Sequence, residues 1–172
     1  DLYRVGTVVR VLQLFRLPDG TMRVLVEGIC RGRAKKFFRG SDSMSASVSV
    51  LEEGAKMDVR LEALMRNVLA SFNDYVHLNR RVPDEVLSTA NNIANPALLS
   101  YTVASHLILK VSAKQEILEE DDLGVRFRQL GKTLASELEI LKLERKIEGQ
   151  VRSQVHKNQK EFYLNEQLKA IR

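Results

Sequence analysis

The chain has 172 residues, 44% hydrophobic and 28% charged, with a net charge of +5, which suits one globular domain or a compact domain with an extended appendage. No apolar run approaches the roughly 20 residues of a membrane span, and Asp1-Leu2-Tyr3-Arg4 is no prelude to a secretory signal. Residues 1–56 hold 10 basic and 6 acidic side chains, residues 57–122 hold 6 and 10, and residues 123–172 hold 11 and 6, an alternation that argues against one continuous nucleic-acid surface.

Residues 1–56 are expected to form a small antiparallel β subdomain. The β-branched run from Val5 to Leu12 suits a pleated surface. Leu17-Pro18-Asp19-Gly20-Thr21 supplies a turn, because Pro presets φ and Asp-Gly tolerates a left-handed conformation. The chain then returns through Met22 to Gly28, and Gly28 marks a bulge before Ile29 to Phe38 continue the sheet. Gly40 to Ser43 is a second turn, and Ser45 to Leu51 a third strand. Three strands are few for a self-sufficient sheet, so this subdomain is expected to be incomplete. Cys30, the only cysteine, forms no internal disulfide and reads as a buried, inert thiol.

From Met57 the period becomes helical. Leu61, Leu64, Met65, Val68, Leu69, Phe72, Tyr75 and Val76 share one face. Pro83, followed by Asp84 and Glu85, starts a second helix with Val86, Leu87 and Ile93 inward. Asn95-Pro96 opens a third, with Leu98, Leu99, Val103, Leu107 and Ile108 on its apolar side. Ser112 is expected to cap a fourth, Ala113 to Glu120, with Gln115 completing a capping box. Together 57–122 read as a helical bundle.

Residues 123–172 form one long helical pattern. Leu123, Phe127, Leu130, Leu134, Leu138 and Leu141 make a stripe that packs on the bundle. Beyond Leu143 the stripe thins to Ile147, Val151 and Val155 among basic residues. A helix of about 50 residues is about 75 Å long, so its distal half is expected to project, with Gly149 as a flex point. Phe162, Tyr163, Leu164, Leu168 and Ile171 have no core to enter and are expected to dock on another module. With Ile147, Val151 and Val155 they are the candidate inter-module or inter-protomer contacts. The chain stops among strong helix formers, so it is expected to begin and end inside a longer parent.

Catalytic signatures are missing. There is no phosphate-cradling G-x-x-x-x-G-K-[S/T] and no G-x-S-x-G. His77, His106 and His156 lack metal-ligand spacing, and the first two read as structural histidines beside apolar faces. Glu119 to Asp122 reads as a helix end and a cap for the long helix. The basic run Arg31 to Arg39, interleaved with Phe37 and Phe38, can hold phosphates and stack bases. On a strand, however, its charges divide between two faces, which reads better as a solvated edge strand. No catalytic, cofactor or metal residue is assigned.

The terminal stretch from Glu161 to Arg172, E-F-Y-L-N-E-Q-L-K-A-I-R, resembles the E-Y-Y-L-N-E-Q-x-K-A-I-x segment of the Lon family of ATP-dependent proteases. Val5-Gly6-Thr7-Val8, Leu17 to Thr21 and Val24 to Gly28 are similar to that family's strand–turn–strand block. Val82-Pro83-Asp84-Glu85-Val86-Leu87 looks like its I-P-x-E-V-L helix start, and Ala104 to Leu107 with Lys114-Gln115 follows its helical block. Phe162 stands where Tyr is usual, and Leu123-Gly124-Val125 replaces a more regular acidic-apolar pattern.

The resemblance implies an α+β fold: an incomplete β subdomain, a helical bundle and a long protruding helix leading to an ATPase module. It implies a hexameric parent that uses ATP and Mg and cleaves with a Ser–Lys dyad, none of which lies in these residues. The expected role is a non-catalytic N-terminal module that engages unfolded or damaged proteins and supports assembly. The implied setting is the bacterial cytoplasm, or the mitochondrial matrix in a eukaryote. A purely structural spacer and oligomerisation element and, less favoured, a basic nucleic-acid-binding module stand as alternatives.

Overall fold

A computed structural model describes residues 2–54, 57–79 and 81–171, with Ile171 described by its backbone alone. Three strands form one antiparallel sheet in the order β1-β2-β3: β1 (Val5–Arg16), β2 (Met22–Arg39) and β3 (Met44–Leu51). The β1–β2 turn closes as its residues dictate. Gly20 adopts φ +83°, a left-handed conformation that disfavours any side chain, and its N–H donates to the Leu17 carbonyl at 3.0 Å. Asp19 accepts from the Thr21 hydroxyl at 2.6 Å and its N–H at 2.9 Å. The hydroxyl bond foremost holds its carboxyl below the usual range.

The β1–β2 ladder skips Ile29, passing from Val8↔Cys30 to Val9↔Gly28, so the irregularity expected beside Gly28 is there. The basic run lies on the central strand β2 but is an edge over its second half: Arg31 to Arg33 pair with both β1 and β3, whereas Lys36 to Arg39 pair with β3 alone. Gly32 has a packing reason: a Cβ there would lie 2.5 Å from Val48 Cγ1 and 3.3 Å from Val8 Cγ2. Away from the bundle the sheet covers little. Val8, Phe37, Val48 and Val50 are all exposed.

Five helices follow: α1 (Val59–Leu78), α2 (Glu85–Asn91), α3 (Pro96–His106), α4 (Val111–Glu119) and α5 (Leu123–Ile171). Side-chain caps fix three of the starts by satisfying orphan backbone donors. Asp58 accepts from the Leu61 N–H at 2.6 Å, Asn95 from that of Leu98 at 3.0 Å and Asp122 from that of Val125 at 2.8 Å. The expected Ser112 cap fails. α4 begins at Val111 with Lys110 at the cap position and no side-chain bond. The helix thus starts two residues earlier than expected, and Gln115 donates instead to the Val5 carbonyl at 2.9 Å and to Glu119 at 2.7 Å.

The core is built mainly where α1 lies along α5, with α3 alongside. Val68, Phe72 and Tyr75 meet Leu99, Val103, Phe127, Leu130 and Leu134, all of them buried. Each large apolar side chain buried this way contributes about 1.5–3 kcal/mol. Arg145 donates to the carbonyls of His77 (3.0 Å) and Leu78 (3.2 Å), placing positive charge at the C-terminal end of α1. Beyond it α5 runs on alone and exposed, uninterrupted through Gly149. Its 49 residues make a rod of about 74 Å.

Three expectations about side chains need correction. Leu98 and Ile108 are exposed, Leu98 because it lies on the outer face of α3 and Ile108 because it follows the helix end. His77 is exposed at the end of α1. His106 alone matches the structural reading: its Nδ1 sits 2.8 Å from the Thr102 carbonyl, and its ring packs at a tilt against Phe72.

Candidate functional site at the junction of sheet and bundle

Sheet and bundle meet through a polar junction at one end of the sheet. Arg31 on β2 is 3% exposed and crosses from the sheet to the end of α4. It donates to the carbonyls of Leu118 (2.7 Å) and Glu120 (3.3 Å), and it pairs with Asp121 at 3.1 Å. Its Nε donates to Glu53, just after β3. Burial lowers the guanidinium pKa, but the Glu53 bond and the nearby negative charges outweigh it and carry the net shift upward.

Glu53 joins three elements. One oxygen accepts from Arg31 and from the Tyr101 hydroxyl on α3; the other faces Arg126 Nη1 at 3.5 Å, one turn into α5. Arg126 is fully buried, a costly state for a charge without partners. It is satisfied by the Glu120 carbonyl, by Ser100 Oγ at 3.2 Å, and by the Tyr101 ring, whose centroid lies 4.8 Å from its guanidinium carbon. Burial and the Glu53 bond push the Tyr101 hydroxyl up to about 12, so it stays protonated as a donor.

Above this junction lies a cleft of about 620 Å³ between β1–β2 and α3–α4. Ile29, Ala97, Leu98, Ala104, Ile117 and Leu118 give it a largely apolar lining; Arg31, Glu53, Tyr101, Ser105 and Lys114 add polar groups. The bulge that leaves Ile29 unpaired and the outward face of α3 together bring Ile29 and Leu98 to this cleft, both more than half exposed. Cys30 lines the same cleft and is half-buried, not the fully enclosed thiol expected, because the sheet ends here without a covering layer.

The contact candidates of the long helix are elsewhere. Ile147, Val151, Val155, Phe162, Tyr163, Leu164 and Leu168 are all exposed on distal α5; the Ile171 side chain lies outside the described residues. At about 100° per residue, Ile147, Val151, Val155 and Phe162 share one stripe. Leu164 and Leu168 fall on another face, so the terminal cluster divides in two.

Sequence reasoning passed over the junction. Its one visible signal was Arg126, three residues after Leu123 and four before Leu130, hence a charge on the apolar stripe itself. Nothing local marked Glu53 or Tyr101 as its partners, since they come from separate elements. Among the described residues no group of three or more His, Cys, Asp or Glu is arranged to hold a metal, and no helix is long and apolar enough to cross a membrane.

Comparison with known proteins gives this geometry a family. Residues 1–136 match the model of the ATP-dependent protease La (LON) substrate-binding domain. Over 171 residues, 99% of this chain, it is 41% identical to Lon protease of Escherichia coli K12 and 44% identical to that of Azospirillum brasilense. The match spans 22% and 21% of those two proteins, so the chain corresponds to about a fifth of their length.

The fold is that of the N-terminal domain of the Mycobacterium avium complex Lon protease, at TM-score 0.67 and 22% identity, over 77% of this chain and 70% of that one. A Lon N-terminal domain protein from Xanthomonas campestris matches at TM-score 0.51 and 20% identity, over 74% and 66%. The architecture is thus α+β, a three-stranded antiparallel sheet followed by five helices, the last of them long. The chain belongs to the Lon substrate-binding domain family.

Proposed function

We propose that this chain is the non-catalytic N-terminal module of a Lon-like ATP-dependent protease and that it engages unfolded or damaged protein chains through the junction cleft. The match of residues 1–136 to a substrate-binding domain carries the reading. The cleft supports it, with apolar walls open to solvent and the polar groups of its floor already paired. Such a lining accepts apolar side chains that a native protein hides and an unfolded one exposes. In this reading ATP, Mg and a Ser–Lys dyad act in the remaining four-fifths of the parent, in the bacterial cytoplasm or the mitochondrial matrix.

The test is photo-crosslinking from Leu98 and Ile29 to one model protein in its native and its unfolded form, with mapping by mass spectrometry. Labelling confined to the unfolded form is expected. Equal or absent labelling assigns the module to spacing alone.

A second role, support of the hexamer, is favoured by the stripe Ile147, Val151, Val155 and Phe162, exposed among the described residues on distal α5. Sedimentation of the chain with and without residues 150–172 tests it. Concentration-dependent association that disappears on truncation is the expected result, and monomers throughout exclude pairing through this helix alone.

A further inference from the structure

Three charged side chains line the cleft, and their states differ. Arg31 and Glu53 are paired with each other, and each has further partners. Lys114, on α4, is half-buried at the same cleft. Its ammonium donates to the Ser105 carbonyl at 3.2 Å, and among the described residues no carboxylate pairs with it. An ammonium bonded only to a carbonyl keeps donors to spare. The cleft therefore combines apolar walls with one uncompensated positive charge.

We infer that the cleft selects extended segments in which an apolar side chain is accompanied, two residues away, by an aspartate or glutamate that pairs with Lys114. This rests on the substrate-engaging reading above and gives it a sequence preference. In an extended chain alternate residues point to the same side, about 7 Å apart. An apolar anchor against Ile29 and Leu98 and an acid two positions on thus address one surface together. An acidic side chain fits better than a chain end, because acids recur throughout an unfolded polypeptide and its terminal carboxylate occurs once. Because Lys114 is partly exposed, the pair weakens with salt.

The experiment is fluorescence anisotropy of the 172-residue chain with terminally blocked decapeptides carrying a central Phe. The residue two positions on is Asp, Asn or Lys; a fourth peptide has Asn there and a free terminal carboxylate. At low salt the Asp peptide is expected to bind about three- to tenfold tighter than its Asn isostere. Lys114→Gln should abolish that preference, and Lys114→Glu should reverse it in favour of the Lys peptide. Leu98→Asp should weaken the binding of all four.

Equal binding of the Asp and Asn peptides, or a preference that survives Lys114→Glu, overturns the charge selection while leaving cleft binding in place. A free-carboxylate peptide that outcompetes the Asp peptide overturns the side-chain assignment in favour of chain ends. If none of the peptides binds, this inference and the cleft reading beneath it both fall.

Discussion

The sheet and the bundle solve the problem of apolar surface in opposite ways. In the bundle, most apolar side chains at three- and four-residue spacing find partners, and Phe72, Leu99, Phe127, Leu130 and Leu134 are fully buried. In the sheet, a comparable density of Val, Leu and Phe stays in contact with solvent. Its strands are held by their ladder, by the Gln115 bond to Val5, and by the Arg31–Glu53–Arg126 junction. The contrast separates two uses of the same residue types: those in the bundle supply stability, and those around the cleft remain available for binding.

The sharpest way to break this comparison is to truncate matched aromatics. Phe127→Ala should cost about 3–5 kcal/mol in denaturant unfolding. Phe37→Ala, on the exposed sheet, should cost about 0.5 kcal/mol or less; similar losses at the two sites would show that the sheet is packed in solution. Next comes the junction. Glu53→Gln leaves Arg126 buried without its counter-charge and should cost about 2–4 kcal/mol. Backbone hydrogen exchange should rise first around Val5 and Ala34, and uniform exchange across the chain would deny the junction its local role.

Gly32→Ala forces a Cβ against Val48 and should cost about 1–2 kcal/mol, read as a lower midpoint with an unchanged slope. The smallest effect is in alkali. Because the Tyr101 hydroxyl is pushed up to about 12 from about 10 in an unfolded chain, its contribution is complete below pH 10. It is lost as pH rises from 10 to 12. Tyr101→Phe should flatten the stability profile over that window, and an unchanged slope there would separate Tyr101 from the alkaline transition.

Periodicity made most of the bundle legible. The stripe from Leu123 to Leu138 is buried as its spacing implies, and Asp58, Asn95 and Asp122 announce their helices because a cap is a local interaction. The Pro18-Asp19-Gly20 turn was legible for the same reason. The junction was not, since Arg31, Glu53, Tyr101 and Arg126 come from four separate segments and nothing between them fixes their meeting. The same limit explains Ser112: a cap of the right type one residue inside the helix loses to the start that brings Gln115 to β1. Leu98 looked like core because α3 is apolar on nearly all sides, which leaves periodicity without a direction.

The unbroken course of α5 has a mechanical corollary. A single helix anchored as far as Arg145 and continuing to Leu168 is a lever with an arm of about 35 Å. A tilt of about 5° at the anchored end swings Leu168 through roughly 3 Å, about half the height of one helical turn. Arg126, at the base of the same rod, is tied through Glu53 to the strand beside the cleft. A small rotation between sheet and bundle is therefore magnified at the far end of the helix without any change in the helix itself.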